Sequence, residues 1–183
     1  MLTKDEIKEL RKQFFDNSAI QTRAGFLHAI LFAGTYILDD EVFLPTKGRF
    51  LQRGYVWELW RKKSFIISLF SEAPQKPMAF INKPTYTAHE VSKLEVIDGK
   101  QRINAIKEFF SNKFAIELGG KEYFAADFGD KTLLCRIFLS TSLPVFWIDE
   151  GIDDPISDQQ KKDFFKWLNL DTHPQDEERI NNL

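Results

Sequence analysis

The stretch Leu94-Glu95-Val96-Ile97-Asp98-Gly99-Lys100-Gln101-Arg102 constrains the fold more than any other part of the 183-residue chain. Apolar residues run into Asp98 and a glycine follows at once. Ile103, Ile106 and Phe110 then recur at helical spacing, while Asn104, Lys107 and Glu108 fall on the other side. The pattern predicts a strand over 94–98, a tight turn, and a helix that starts at Lys100 or Gln101. The junction also carries chemistry. The first amides of a helix have no intrahelical partner and sit at the positive end of its dipole, so they bind phosphate readily. Gly99 lets a ligand approach the backbone. Lys100 and Arg102 add positive charge within one turn, and Gln101 can donate to an oxygen or orient a water. Asp98 can hold a metal ion bound to phosphates or act as a base. The same residues have a purely structural reading, because Asp98 is a good helix cap and Arg102 could simply pair with it.

The flanking sequence adds short strands and helices. Thr3 and Glu6 form a capping-box pattern ahead of Ile7, Leu10 and Phe14, which predicts a first helix. A second helical stretch is expected over 18–32, ending at Gly34, with His28 as a core or boundary histidine. Residues 35–56 read as irregular or extended. A helix is expected over 57–71, with Val56, Leu59, Trp60, Ile67 and Phe70 on one side and Phe65 and Leu69 on the other; Pro74 and Pro77 end it. Strands are expected over 78–82, 114–118 and 143–149, and Gly119-Gly120 marks a turn. Ser157 and Gln160 form a capping box that opens a helix through Phe164, Phe165, Trp167 and Leu168, broken after Asn169. Pro174, followed by Glu177 and Glu178, reads as a fresh helix start. The resulting class is α+β: short mixed strands, flanking helices, and helical extensions at both ends.

Composition narrows the function classes. Apolar residues make up 43%, with 18 Phe and 4 Trp, enough for a packed core. The formal charge of -2, from 25 basic and 27 acidic residues, means that any nucleic-acid contact has to come from a local patch. Cys135 is the one cysteine, so no internal disulfide forms, and its apolar neighbours predict an inert thiol. No Cys/His cluster has zinc spacing. The N-terminus does not read as a signal peptide, and the apolar stretch 26–36 is too short to span a bilayer, which predicts a cytoplasmic protein without membrane contact.

A second element resembles the first. In Phe50-Leu51-Gln52-Arg53-Gly54-Tyr55-Val56-Trp57 a Gln-Arg pair again sits where a helix begins, flanked by aromatics. Arg53 would supply a second basic lip to the same pocket, with an aromatic available to stack on a base. Tyr55, Trp57 and Trp60 are otherwise expected in the core.

Gln52-Arg53-Gly54-Tyr55-Val56-Trp57, a helix and proline-bearing loop, and then Ile97-Asp98-Gly99-Lys100-Gln101-Arg102 resemble the N-terminal domain of GmrSD-type restriction endonucleases, with its "QR-x-Y-x-W" and "DGQQR" elements. Phe164-Phe165-Lys166-Trp167-Leu168-Asn169, followed by Glu177-Glu178, is similar to that family's "F-x-x-[IL]-N … E" segment. Three elements in order are more specific than any one. The resemblance implies a ParB/sulfiredoxin-like domain over 38–183 behind an N-terminal helical extension over 1–37. It implies nucleoside-triphosphate binding, with Gln52, Arg53, Gly99, Lys100, Arg102 and Asn169 as phosphate or nucleotide contacts. Asp98, Gln101, Arg102 and Arg53 would be catalytic, and Asp98 would be the position for Mg2+. It also implies a role in phage defence, with DNA or a separate nuclease as partner. Lys100 stands where the family usually has Gln, which keeps the positive character. Ile103-Asn104-Ala105 replaces the frequent Leu-Thr-Thr and removes two hydroxyls. No His-rich HNH cleavage motif is visible, and His173 is isolated.

Three functions compete on these grounds. The first is a nucleotide hydrolase in which Arg53, Arg102 and Lys100 stabilise phosphoryl charge. The second is a non-catalytic regulatory or partner-binding module. The third is a nuclease that uses the same pocket.

Overall fold

The computed structural model describes residues 20–23, 34, 36–52, 54–83, 85, 90–129 and 144–169. The expected first helix, the segment with His28, Cys135, His173 and the helix start at Pro174 lie outside these residues, and so does Arg53. A mixed five-stranded sheet forms the centre. Its strands are β1 (Gln21–Arg23), β9 (Val145–Asp149), β5 (Met78–Lys83), β6 (Ser92–Asp98) and β2 (Tyr36–Asp39), in that spatial order. β1 runs antiparallel to β9, β9 parallel to β5, β5 antiparallel to β6, and β6 parallel to β2. Two small hairpins lie beside the sheet. β3 (Phe43–Leu44) pairs with β4 (Arg49–Phe50), and β7 (Ile116–Leu118) with β8 (Lys121–Tyr123). Helices α1 (Leu59–Phe70), α2 (Lys100–Phe110) and α3 (Asp158–Leu168) complete the described structure.

Period-two alternation sorts the central strands between two cores. Met78 and Phe80 of β5 and Leu94 and Val96 of β6 face one way. There they meet Ile66 and Leu69 of α1 and Ile103, Ile106 and Phe109 of α2, all buried. Ala79 and Ile81 of β5 and Ile97 of β6 face the other way, against Phe164 of α3 and Val42, Leu44 and Leu51 of the chain around the β3–β4 hairpin. One helix layer therefore covers each face, which is why β5 reads as a continuous apolar run. Each fully buried Phe or Leu contributes about 1.5–3 kcal/mol.

Several elements match the sequence pattern closely. α2 begins at Lys100, and β6 ends at Asp98. The capping box of α3 forms as read: the Ser157 hydroxyl accepts from the Gln160 amide, and the Gln160 side chain accepts from the Ser157 amide at 2.8 Å. Three expectations need correction. The helix expected over 18–32 gives way at 21–23 to β1, because those residues complete the ladder of β9, a long-range pairing that local periodicity cannot register. Phe109 rather than Phe110 carries the buried aromatic of α2. In α1 the face bearing Phe65, Ile66 and Leu69 is the buried one, while Leu59 and Trp60 are 52% and 65% exposed. Both helix-stripe errors follow from two adjacent apolar faces competing for one core. Among the described residues no helix is long and apolar enough to cross a membrane.

The α3-facing side of β6 places one carboxylate in the interior. Glu95 is 8% exposed and meets Lys161 of α3 at 2.8 Å and Lys83 of β5 at 3.4 Å. Lys83 also bonds Glu150 at 2.6 Å. Burial disfavours the Lys83 ammonium, but its bond to Glu150 and the attraction of Glu95 prevail and hold its pKa above the ordinary lysine value. Removing one member of such a network strands charges that burial cannot tolerate. Glu95→Gln is therefore expected to lower unfolding free energy by about 3 kcal/mol. Glu122→Gln, which loses only an exposed pair with Lys63, should cost less than about 1 kcal/mol. Urea titration of both variants checks the contrast.

Candidate functional site

The strand that leads into the turn is irregular at its end. Ala79 pairs with Asp98 but Phe80 pairs with Val96, so β6 carries a bulge at Ile97. Bulges re-aim side chains and free ladder groups. Here the freed carbonyls have a dedicated donor. The Gln52 Nε2 amide donates to Val96 O at 2.8 Å and to Ile97 O at 2.5 Å.

The reciprocal contact comes from the far side of the turn. Gln101, in the first turn of α2, donates through Nε2 to Gly54 O at 2.8 Å. Its Oε1 accepts from the backbone N–H groups of Val56 at 3.0 Å and Trp57 at 3.3 Å. Each element of the sequence pattern thus contributes a glutamine that grips the other element's backbone. These contacts make Gln52 and Gln101 positioning residues that hold the segment before α1 across the β6–α2 junction. A water-orienting role for Gln101 would compete with three existing hydrogen bonds.

Arg102 is similarly occupied. Its guanidinium donates to the carbonyls of Lys76 and Pro77, the latter at 2.9 Å, and to Asp98 Oδ2 at 2.8 Å. Burial pushes its pKa down, and Asp98 partly offsets this. Arg102 therefore ties the turn to the chain entering β5, and the structural reading of the Asp98–Arg102 pair holds for one of the two carboxylate oxygens. Asp98 Oδ1 has no partner among the described residues, and about a third of the Asp98 side chain is exposed.

Gly99 occupies a backbone conformation that only glycine adopts readily, with φ of 110°. A Cβ built there would lie 2.7 Å from the Met78 side chain. As the N-cap of α2 it supplies no side chain, and among the described residues no side chain caps the first-turn amides. Lys100 is 4% exposed. Its ammonium lies 4.9 Å from the centre of the Tyr55 ring and 3.9 Å from Glu41 Oε1. Tyr55 in turn donates its hydroxyl to Asp40, and burial together with that carboxylate raises its pKa well above the ordinary tyrosine value.

The structure thus brings Gln52, Asp98, Gly99, Lys100, Gln101 and Arg102 to one junction. Asn169 lies at the C-terminal end of α3, where its amide donates to Phe165 O at 2.8 Å. Tyr55 and Trp60, expected in the core, are exposed, whereas Trp57 packs edge-on against Phe65 at 5.6 Å. Glu41 and Met78 join the site without having been singled out in the sequence. Tyr55, an aromatic of the Gln-Arg element, joins it as well, over Lys100 rather than in the core.

One comparison settles the ancestry of this arrangement. Residues 45–182 match the family described as GmrSD restriction endonuclease, N-terminal domain. The chain belongs to that family. No curated protein and no solved structure matches the chain. For this GmrSD-type domain the matched span contains both glutamines of the interlock and the whole β6–α2 turn.

The steric fit at the turn gives a direct check. Gly99→Ala combines a left-handed backbone with a Cβ inside the contact distance of Met78. It should cost about 2–3 kcal/mol of stability. Gly48→Ala also changes a left-handed glycine but meets nothing within 4 Å, and should cost only about 1 kcal/mol. Denaturant unfolding of the two variants measures the difference.

Proposed function

We propose that the domain binds a nucleoside triphosphate with its phosphates at the N-terminus of α2, and hydrolyses it as the nucleotide-handling module of a restriction or phage-defence system. The observation that carries this reading is the first turn of α2, which no side chain among the described residues caps, with Lys100 beside it and an Asp98 Oδ1 that no described residue bonds. A helix start without a side-chain cap leaves amide donors for an anion. Lys100, whose side chain is 5% exposed, supplies positive charge in a setting where such charge is worth more than in bulk water.

Asp98 suits Mg2+, which is usually held by one or two carboxylates together with substrate phosphates and water rather than by an all-protein cage. Bound there, Mg2+ would neutralise phosphate charge. Asp98 also stands ready to accept a proton from an attacking water. Arg53, next to Gln52 in sequence, is the remaining expected phosphate contact. Gln101 and Arg102 act in this reading by holding the junction, since their polar atoms are already bonded to backbone and to Asp98. A five-stranded mixed sheet with a Gly-bearing turn into a helix supports a ParB/sulfiredoxin-like fold. Cytoplasmic work on DNA, alone or through a separate nuclease, completes the proposal.

A second reading draws on one observation. Because Gln101 and Arg102 are committed to structural bonds, the site has few free groups for chemistry, which favours nucleotide as a switch ligand. Calorimetric titration with ATP, GTP, CTP and UTP, paired with phosphate release with and without DNA, separates the two. Hydrolysis predicts turnover that Asp98→Asn reduces at least a hundredfold while binding persists. Lys100→Gln should weaken nucleotide affinity about tenfold or more, the effect of losing one charge-assisted contact. Tight binding without turnover would select the switch. Failure of every nucleotide to bind would contradict both.

A further inference from the structure

The face of α3 that carries Asp158, Lys162 and Lys166 is built differently from the face that carries Lys161. Lys161 turns inward to Glu95. Lys162 is only 6% exposed, yet it has no hydrogen-bond or ion-pair partner among the described residues. Among the described residues its Nζ is not one of the buried side-chain atoms that lack a hydrogen bond. The stem is therefore buried while the ammonium reaches the surface. Lys166 follows one turn later on the same side of the helix.

The β3–β4 hairpin brings further cations to this face. Thr46, in the hairpin turn, donates to Asp158 Oδ2 through its amide at 2.9 Å and its hydroxyl at 2.7 Å. That pins the turn to the first residue of α3, so Lys47 and Arg49 extend beside the Lys162–Lys166 row. Burial and the positive charges of Lys47, Lys166 and Arg49 together push the Lys162 pKa down, and Asp163 only partly counters them. The two nearby carboxylates are taken by neutral donors. Asp158 holds Thr46, and Asp163 accepts from Gln159 at 2.8 Å. Neither forms an ion pair with Lys47, Lys162 or Lys166.

We propose that Lys47, Lys162 and Lys166 form a second anion-binding surface that takes the phosphodiester backbone of a nucleic-acid strand. None of these residues belongs to the 98–102 turn, so the proposal stands apart from the nucleotide reading. Charges repeated along a helix face, about 6 Å apart for each turn of four residues, call for a ligand whose charges also repeat. A single free phosphate would meet at most a pair of them. The anchored stem of Lys162 reduces the entropy lost when its ammonium engages. In a chain of net charge -2, this row is a local patch that would attract a polyanion without a global surplus.

The test is fluorescence polarisation of a labelled short DNA, single-stranded and duplex, titrated without nucleotide from about 50 to about 200 mM salt. At about −0.9 per phosphate contact, the three lysines give a log–log slope of about −3. The double variant Lys162→Gln with Lys166→Gln should lower the slope by about 2 and weaken low-salt binding at least tenfold. Lys47→Gln, an exposed change that leaves α3 intact, should lower the slope by about 1. Both variants should keep whatever nucleotide affinity the wild type has. Lys100→Gln should leave the slope unchanged even if nucleotide binding fails. No DNA binding, slopes unmoved by Lys47→Gln, or displacement by polyglutamate as readily as by unlabelled DNA of equal charge would each overturn the proposal.

Discussion

Two glutamine side chains bonded to backbone hold the centre of this domain together. Gln52 satisfies the carbonyls that the β6 bulge leaves free, and Gln101 satisfies three groups of the segment leading to α1. Neither segment could keep its conformation alone. The bulge would expose two acceptors beside the core, and residues 54–57 have no ladder of their own. A buried polar group without a partner costs about 1–3 kcal/mol, so the pair of clamps decides whether the turn is ordered. With both in place, Arg102 can close on Lys76, Pro77 and Asp98, and Gly99 can pack its bare Cα against Met78. The start of α2 then stands without a side-chain cap among the described residues, with Lys100 beneath Tyr55.

The same bonds explain which parts of the site the sequence could disclose. The strand, the turn and the helix start at 98–100 were legible because apolar period, glycine and helix period change within a few residues. The capping box at Ser157 and Gln160 was legible for a similar local reason. The partners of Gln52, Gln101 and Arg102 were not legible, because backbone carbonyls and amides carry no residue signature. The sequence motif pointed to chemical roles for Gln101 and Arg102, and the structure adds that both side chains also brace the frame of the site. β1 escaped notice because its only reason to be a strand is β9, more than a hundred residues away in sequence.

Charge is handled in two contrasting ways. Between β6 and α3, Glu95, Lys83, Glu150 and Lys161 neutralise one another at short range in the interior. One turn of α3 away, Lys162 and Lys166 form no ion pair among the described residues, and the positive charges of Lys47 and Arg49 lie close to Lys162. A buried network of that kind ties elements together, whereas like charges gathered at a surface repel one another and attract anions. Both features fall within residues 45–182, the span that matches the GmrSD N-terminal family: the α2 start, proposed above as a nucleotide site, and the α3 row, proposed as a polyanion surface.

The interlock is tested most directly by a double-mutant cycle on Gln52→Ala and Gln101→Ala, read as unfolding free energy in urea. If the two glutamines fix one shared junction, either loss loosens the contact that the other makes. The double variant should then fall short of the summed single effects by about 1 kcal/mol or more. Effects that add to within about 0.3 kcal/mol would show two independent contacts and contradict the interlock.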